Sequence, residues 1–209
     1  MLNIFKKEDK NMDGDAYIFI GRSGCGKGTQ VELFKKELIK NTGSKILHIE
    51  TGSLLRDLVK KQSFTSGITK EIIETGGLMP ESIVIGLWMN YLVNNFTGKE
   101  SLVFDGAPRR IGEAILLDDT LNFYKIKKYK VIHINTSVKW CTERLLARGR
   151  KDDTKEGIAK RMEWYDTEVM KCVNFFFENK SCEFIDVNGE QTIEQVSEEL
   201  LSKVFNMRK

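Results

Sequence analysis

GRSGCGKGTQ, residues 21–30, follows the apolar run AYIFI at 16–20. An apolar run of this length bounded by glycine reads as a buried strand. Beyond it, Val31, Phe34 and Leu38 recur at helical spacing, and the polar stretch 41–44 stops that helix. A strand, a glycine loop, a lysine and a helix therefore come in order. In that context the loop's amides and the helix N-terminus face one point in space, where an anion belongs. Gly21, Gly24, Gly26 and Gly28 permit backbone conformations and close approaches that side chains would block. The general phosphate-loop pattern closes on Gly-Lys-Ser/Thr, with the hydroxyl on Mg²⁺. Here Gly28 follows Lys27, and the hydroxyl arrives one residue later as Thr29.

Working outward, KILHIE (45–50), SLVFD (101–105), KVIHIN (130–135) and CEFIDV (182–187) are also short, apolar and bounded by turn residues. Helical patterns separate them. The clearest carries Ile158, Met162, Tyr165, Val169, Val173 and Phe176 at steps of three and four, and the last carries Ile193, Val196, Leu200 and Val204. Strands alternating with helices predict an α/β fold, a parallel sheet of five strands flanked by helices. The stretch 52–83 shows helices and no strand, a helical insertion between the second and third strands.

The bulk numbers agree with an ordinary soluble globular chain: 209 residues, 41% hydrophobic and 30% charged. A net charge of +3 is too small to argue for nucleic acid or membrane. No apolar run approaches the roughly 18 residues of a transmembrane helix. Residues 1–15 read as a loose leader before the first strand, with a small amphipathic anchor as the lesser alternative. Cys25, Cys141, Cys172 and Cys182 form no CxxC and no zinc spacing, which suits free thiols in a reducing compartment. Cys25 lies in the loop, where amides lower a thiol's pKa, but a small residue that fits is the simpler reading.

The form GKGTQ resembles the loop of adenylate kinases and their nucleoside monophosphate kinase relatives. The resemblance extends through TGSLLR (51–56), ETGGLMP (74–80), FDGAPRRIGEA (104–114), ERLLARGRKDD (143–153), AKRMEWY (159–165) and VNGEQTIEQV (187–196). It implies one P-loop NTPase kinase domain over 1–209. The core would be 14–51, 83–147 and 155–209, with a helical NMP-binding insertion at 52–82 and a very short lid at 148–154. It further implies ATP binding by Gly21, Gly24, Cys25, Gly26, Lys27, Gly28, Thr29, Arg144 and Arg148. The monophosphate would be bound by Thr51, Arg56, Gly77, Leu78, Met79, Gly106, Arg109, Glu113, Arg150 and Arg161.

Phosphoryl transfer needs two phosphate chains held in line, water excluded and positive charge spread over the moving group. Lys27, Arg109, Arg148, Arg150 and Arg161 are the residues implied for that work. Arginine suits it, because its planar fork binds phosphate oxygens bidentately and stays charged. Asp105, at the end of the third strand, is implied to orient the water shell of Mg²⁺, which needs few protein ligands. Asp152 and Asp153 read either as a lid hinge or metal-water ligands, or as a solvated acidic turn.

Two departures matter. Only Gly149, Arg150 and Lys151 separate Arg148 from Asp152, so the lid is minimal and carries no zinc cysteines. Glu113 stands where adenylate-specific relatives have a glutamine that reads adenine, while Thr51 favours adenine and Ala107 replaces an aromatic. Ionised glutamate only accepts hydrogen bonds; it suits guanine's N1 and N2 donors or cytosine's N4 amine. Glu113 as a helix-start residue is the plainer alternative. His48 and His133 read as sheet or core histidines, and Phe175 to Phe177 as packing.

The expected reaction is ATP + AMP = 2 ADP with Mg²⁺ and no zinc. GMP, CMP or UMP is the alternative acceptor, and a catalytically weak nucleotide-binding regulator is the alternative of another class. An RNA-associated role gains little from the charge. A cytoplasmic monomer, with no nucleic-acid or membrane partner, is the expectation.

Overall fold

The computed structural model describes residues 15–126 and 129–205; the expected leader, apart from Asp15, lies outside them. Five parallel strands, β1 (Ala16–Gly21), β2 (Lys45–Glu50), β3 (Glu100–Asp105), β4 (Tyr129–Asn135) and β5 (Cys182–Asn188), form one sheet in the order β2-β3-β1-β4-β5. β1, β3 and β4 are buried along almost their whole length, whereas edge strands β2 and β5 alternate. That contrast is what a sheet covered on both faces requires.

Each face has its own core. On one, Ile18, Ile20, Ile49 and Phe104 meet α4 (Glu81–Asn95), α5 (Ile111–Phe123) and α8 (Met170–Glu178) through Trp88, Leu117 and Phe176. On the other, Tyr17, Phe19 and Ile132 meet α1 (Lys27–Thr42), α6 (Val138–Arg148) and α9 (Ile193–Val204) through Phe34, Leu145 and Leu200. The odd and even residues of β1 thus serve opposite cores. The Phe34 ring lies 4.8 Å from Tyr17 and 5.3 Å from Phe19, both edge-on.

The long pattern at 158–176 is helical, as the spacing predicts, but it is interrupted. α7 (Lys155–Trp164) passes through a π turn at Tyr165–Val169 into α8. Ile158 and Met162 lie in one core, Tyr165, Val169 and Cys172 in the other. The wider turn falls where the helix changes sheet faces. Between β2 and β3, α2 (Thr51–Lys60), α3 (Phe64–Glu74) and α4 make up the strandless stretch; Ser63 caps α3 with a capping box.

Candidate active site

Residues 22–26 leave the carboxyl end of central strand β1 and turn into α1. Gly24 and Gly26 take φ of +89° and +93°, the left-handed region that only glycine enters cheaply. A Cβ on Gly24 would also stand 2.8 Å from the Cys141 carbonyl oxygen. α1 starts at Gly26 with no side-chain cap and no acidic residue in its first turn. Its first amides therefore remain for an anion, with the helix dipole behind them. Lys27 folds back, Nζ donating to the Gly21 carbonyl at 3.3 Å. Cys25 faces the core at 3% exposure, its backbone N–H donating to the Arg22 carbonyl, so its thiol does not line the opening.

Strand register sets Asp105 beside the loop: Phe19 of β1 pairs with Asp105 of β3, and Glu50 of β2 pairs with it from the other side. All three strands end at the mouth of one cleft of about 1070 Å³. Its walls bring together Gly24, Gly26, Lys27, Gly28, Thr29, Thr51, Arg56, Gly77, Leu78, Met79, Asp105, Gly106, Arg109, Arg144, Arg148, Arg150 and Arg161. Gly21 lies just below, in a small pocket of about 20 Å³ shared with Lys27 and Arg109. Of the residues expected at the site, Cys25 and Glu113 are outside the cleft wall. A crevice at the carboxyl ends of parallel strands is where this architecture takes ligands.

The arginines are held individually. Arg109 donates from Nε to the Gly106 carbonyl at 2.8 Å and lies over the Trp164 ring at 5.5 Å. Burial pulls its pKa down; the charges of Glu113 and Asp105 oppose that. Arg56 pairs with Glu50 at 2.7 Å. Arg144 lies over Trp140 at 5.7 Å, beside the phosphate loop.

The segment expected as a lid is a six-residue link, 149–154, between α6 and α7, opened by Gly149 at φ +64°. The acidic pair in it is not a solvated turn. Asp153 has 0% side-chain exposure, takes two hydrogen bonds from Arg148 (2.9 and 2.8 Å), one from Arg161 (2.8 Å) and one from the Arg150 amide (3.0 Å). Asp152 takes a second from Arg161 at 3.1 Å. Burial alone would raise the Asp153 carboxyl, but the arginine hydrogen bonds overcome it and hold it well below the usual carboxylate range.

Glu113 is buried at 1% exposure on the first turn of α5. Oε2 accepts the Arg109 backbone N–H at 3.3 Å, while Oε1 is buried without a partner. The Thr51 hydroxyl is likewise buried and unpartnered. Burial pushes the Glu113 carboxyl up to about 7, against the pull of Arg109.

The sequence pattern did not single out Trp164, Arg22 or the arginine-binding role of Asp153. Trp164 stands on one helix face with Gly157 and Arg161, a spacing that the sequence does display. Arg22 lies over the Tyr165 ring at 4.2 Å, donates from Nε to the Thr136 carbonyl and pairs with Asp166 at 2.5 Å. His133 and Tyr165 form the buried partner of that contact, with His133 Nε2 2.8 Å from the Tyr165 hydroxyl.

Residues 19–181 match the family described as adenylate kinase. The chain is 33% identical over 196 residues to an adenylate kinase of Porphyromonas gingivalis, covering 92% of this chain and 96% of that one. It is 30% identical over 183 residues to adenylate kinase 1 of Nostoc sp., covering 88% and 95%. An adenylate kinase of Oenococcus oeni is 30% identical over 178 residues, covering 84% and 91%.

Proposed function

The chain belongs to the adenylate kinase family of nucleoside monophosphate kinases, and from that premise we propose that it transfers the γ-phosphoryl group of ATP to AMP, giving two ADP, with Mg²⁺. The observation that carries the reading is the cleft whose wall holds the phosphate loop, the 77–79 segment, Asp105 and seven arginines.

In this reading the donor's phosphates lie on the amides of Gly24 to Thr29, with Lys27 turning from Gly21 towards the outer phosphates. An acceptor phosphate oxygen attacks the γ-phosphorus as the bond to the β–γ bridging oxygen breaks, and the electrons leave on ADP. Little covalent work falls to the protein; position and charge do most of it. Arg148 and Arg161, pinned by Asp153, and Arg109, held over Trp164, supply guanidinium forks whose cost of ordering is met before the substrates arrive. Among the described residues no three His, Cys, Asp or Glu side chains stand together as a metal cage. Mg²⁺ would enter with the nucleotide phosphates and neutralise their charge, and Asp105 and Thr29 of the cleft wall are the residues that would orient its waters.

The acceptor base would lie against Thr51 and Met79 of the cleft wall, and its binding would have to open the buried Glu113 carboxyl, which stands outside that wall, to it. Two buried, unpartnered polar atoms there, Thr51 Oγ1 and Glu113 Oε1, support a base that hydrogen-bonds to both. Protonated, Glu113 donates and accepts, as adenine requires; ionised, it only accepts, which favours GMP as the second reading. The experiment is ADP production from Mg²⁺-ATP with AMP, GMP, CMP and UMP in turn. Turnover with AMP supports the reading; faster turnover with GMP replaces the acceptor; no turnover with any of them refutes the kinase assignment of the cleft.

A further inference from the structure

α7 presents Gly157, Arg161 and Trp164 along one side, and the segment joining α3 to α4 lies against it. The contact is close: a Cβ on Gly76 would stand 2.7 Å from the Gly157 carbonyl oxygen and 2.8 Å from its Cα. At the other end of the contact, the Trp164 indole Nε1–H donates to the Gly76 carbonyl at 3.1 Å. The same indole offers its face to the Arg109 guanidinium at 5.5 Å. Trp164 lines both the cleft and the small pocket beneath it that also touches Lys27. One side chain therefore touches the segment that leads into Gly77–Met79 and an arginine of the cleft wall.

We propose that Trp164 is a positioning residue for phosphoryl transfer: its N–H tethers the acceptor-binding segment at Gly76, and its ring face sets the Arg109 guanidinium. The proposal rests on the kinase reading above, because it gives the tethered segment and Arg109 an acceptor to hold. The two functions are chemically separable. An N–H donor holds a carbonyl; a π face holds a cation through its quadrupole. Trp164→Phe removes the first and keeps a ring for the second. Trp164→Leu removes both.

The experiment measures kcat and both KM values for wild type, Trp164→Phe and Trp164→Leu, with thermal melting to confirm that each is folded. Trp164→Phe is expected to raise the acceptor KM about fivefold, the order of one net hydrogen bond, with kcat within about twofold of wild type. Trp164→Leu is expected to lower kcat by about a further tenfold, as a misplaced catalytic group does. The ATP KM should stay within about twofold in both. An unchanged acceptor KM in Trp164→Phe, identical kinetics for the two variants, or ATP and acceptor KM rising together would each overturn the proposal. A Leu variant that fails to fold leaves the decision to Trp164→Phe alone, which retains an aromatic ring. Wild type inactive with every monophosphate removes the kinase reading and the proposal together, an outcome distinct from active wild type with indifferent variants.

Discussion

Glu113 is a single carboxyl group whose protonation controls what it can bind. Its folded pKa of about 7 lies above the ordinary 4.5, with burial as the main cause. Between about pH 6 and pH 8 it passes from a group that donates and accepts to one that only accepts. The KM for AMP should therefore rise across that interval in wild type and stay flat in Glu113→Gln, which keeps both hydrogen-bonding functions. The same titration affects stability. A folded pKa raised above the unfolded one contributes stability fully present below about 4.5 and lost as pH rises through about 7. Free of ligand, Glu113→Gln should melt higher than wild type near pH 8, by up to about 3 kcal/mol of stability. That gain should shrink towards pH 5; equal melting at both pH values would contradict it. Asp153 behaves oppositely, since its pKa is lowered and its contribution fails only in strong acid. Removing it as Asp153→Ala would leave buried Arg161 and half-exposed Arg148 without their shared carboxylate. Loss of about 3 kcal/mol is expected in denaturant unfolding, with kcat falling more than either KM, because two of the cleft arginines lose their anchor.

The helix that changes sheet faces shows what an element adds to its residues. The π turn at Tyr165–Val169 lets Ile158 and Met162 face one core while Tyr165 and Val169 face the other. Wide turns of this kind recur at functional sites. Here the turn sets Tyr165 between Arg22 of the phosphate loop and buried His133. Burial lowers the His133 pKa, so the ring is neutral. With Nδ1–H donating to Asp186 at 2.6 Å, Nε2 accepts the Tyr165 hydroxyl. Tyr165→Phe would leave Nε2 buried without a partner, and about 1–2 kcal/mol of stability should be lost in thermal melting; an unchanged melting point would mean that the hydrogen bond contributes nothing net. The five strands and the helical stretches were legible because apolar runs and three-four spacing report directly which residues are buried. The phosphate loop was legible because its glycines and lysine are adjacent in the chain. The face change at Tyr165 was not, because a spacing of three and four is the same on either side of the sheet. Nor was the role of Asp153, whose partners Arg148 and Arg161 come from two different helices. Trp164 reads in the sequence as one more apolar position of a helix; what makes it a tether is a glycine carbonyl 88 positions away.

At the scale of the whole molecule, the proposed reaction requires the cleft to close over its substrates, and the link proposed as its lid is short. A larger lid would cover the cleft by swinging. In this chain α6 and α7 are joined by residues 149–154, and the Asp153 ion pairs already fix that link to both helices. In the kinase reading proposed above, closure would then fall to the other side, where the segment joining α3 to α4 lies against α7 at Gly76. The backbones of Gly76 and Gly157 meet there with no room for a side chain. Gly76 also takes φ +70°, so alanine there is strained by conformation as well as by contact. Gly76→Ala should push the segment off α7 and carry the Gly77–Met79 wall with it. The acceptor KM should rise by about tenfold or more, while the ATP KM, set on the phosphate loop across the cleft, stays within about twofold. A segment held away from α7 also admits water to the transferred group. ATP hydrolysis per transfer event should therefore increase in the variant, as read by inorganic phosphate release against ADP formation. Equal rises in both KM values would mean instead that the two sides of the cleft move as one body and that Gly76 is only part of the core.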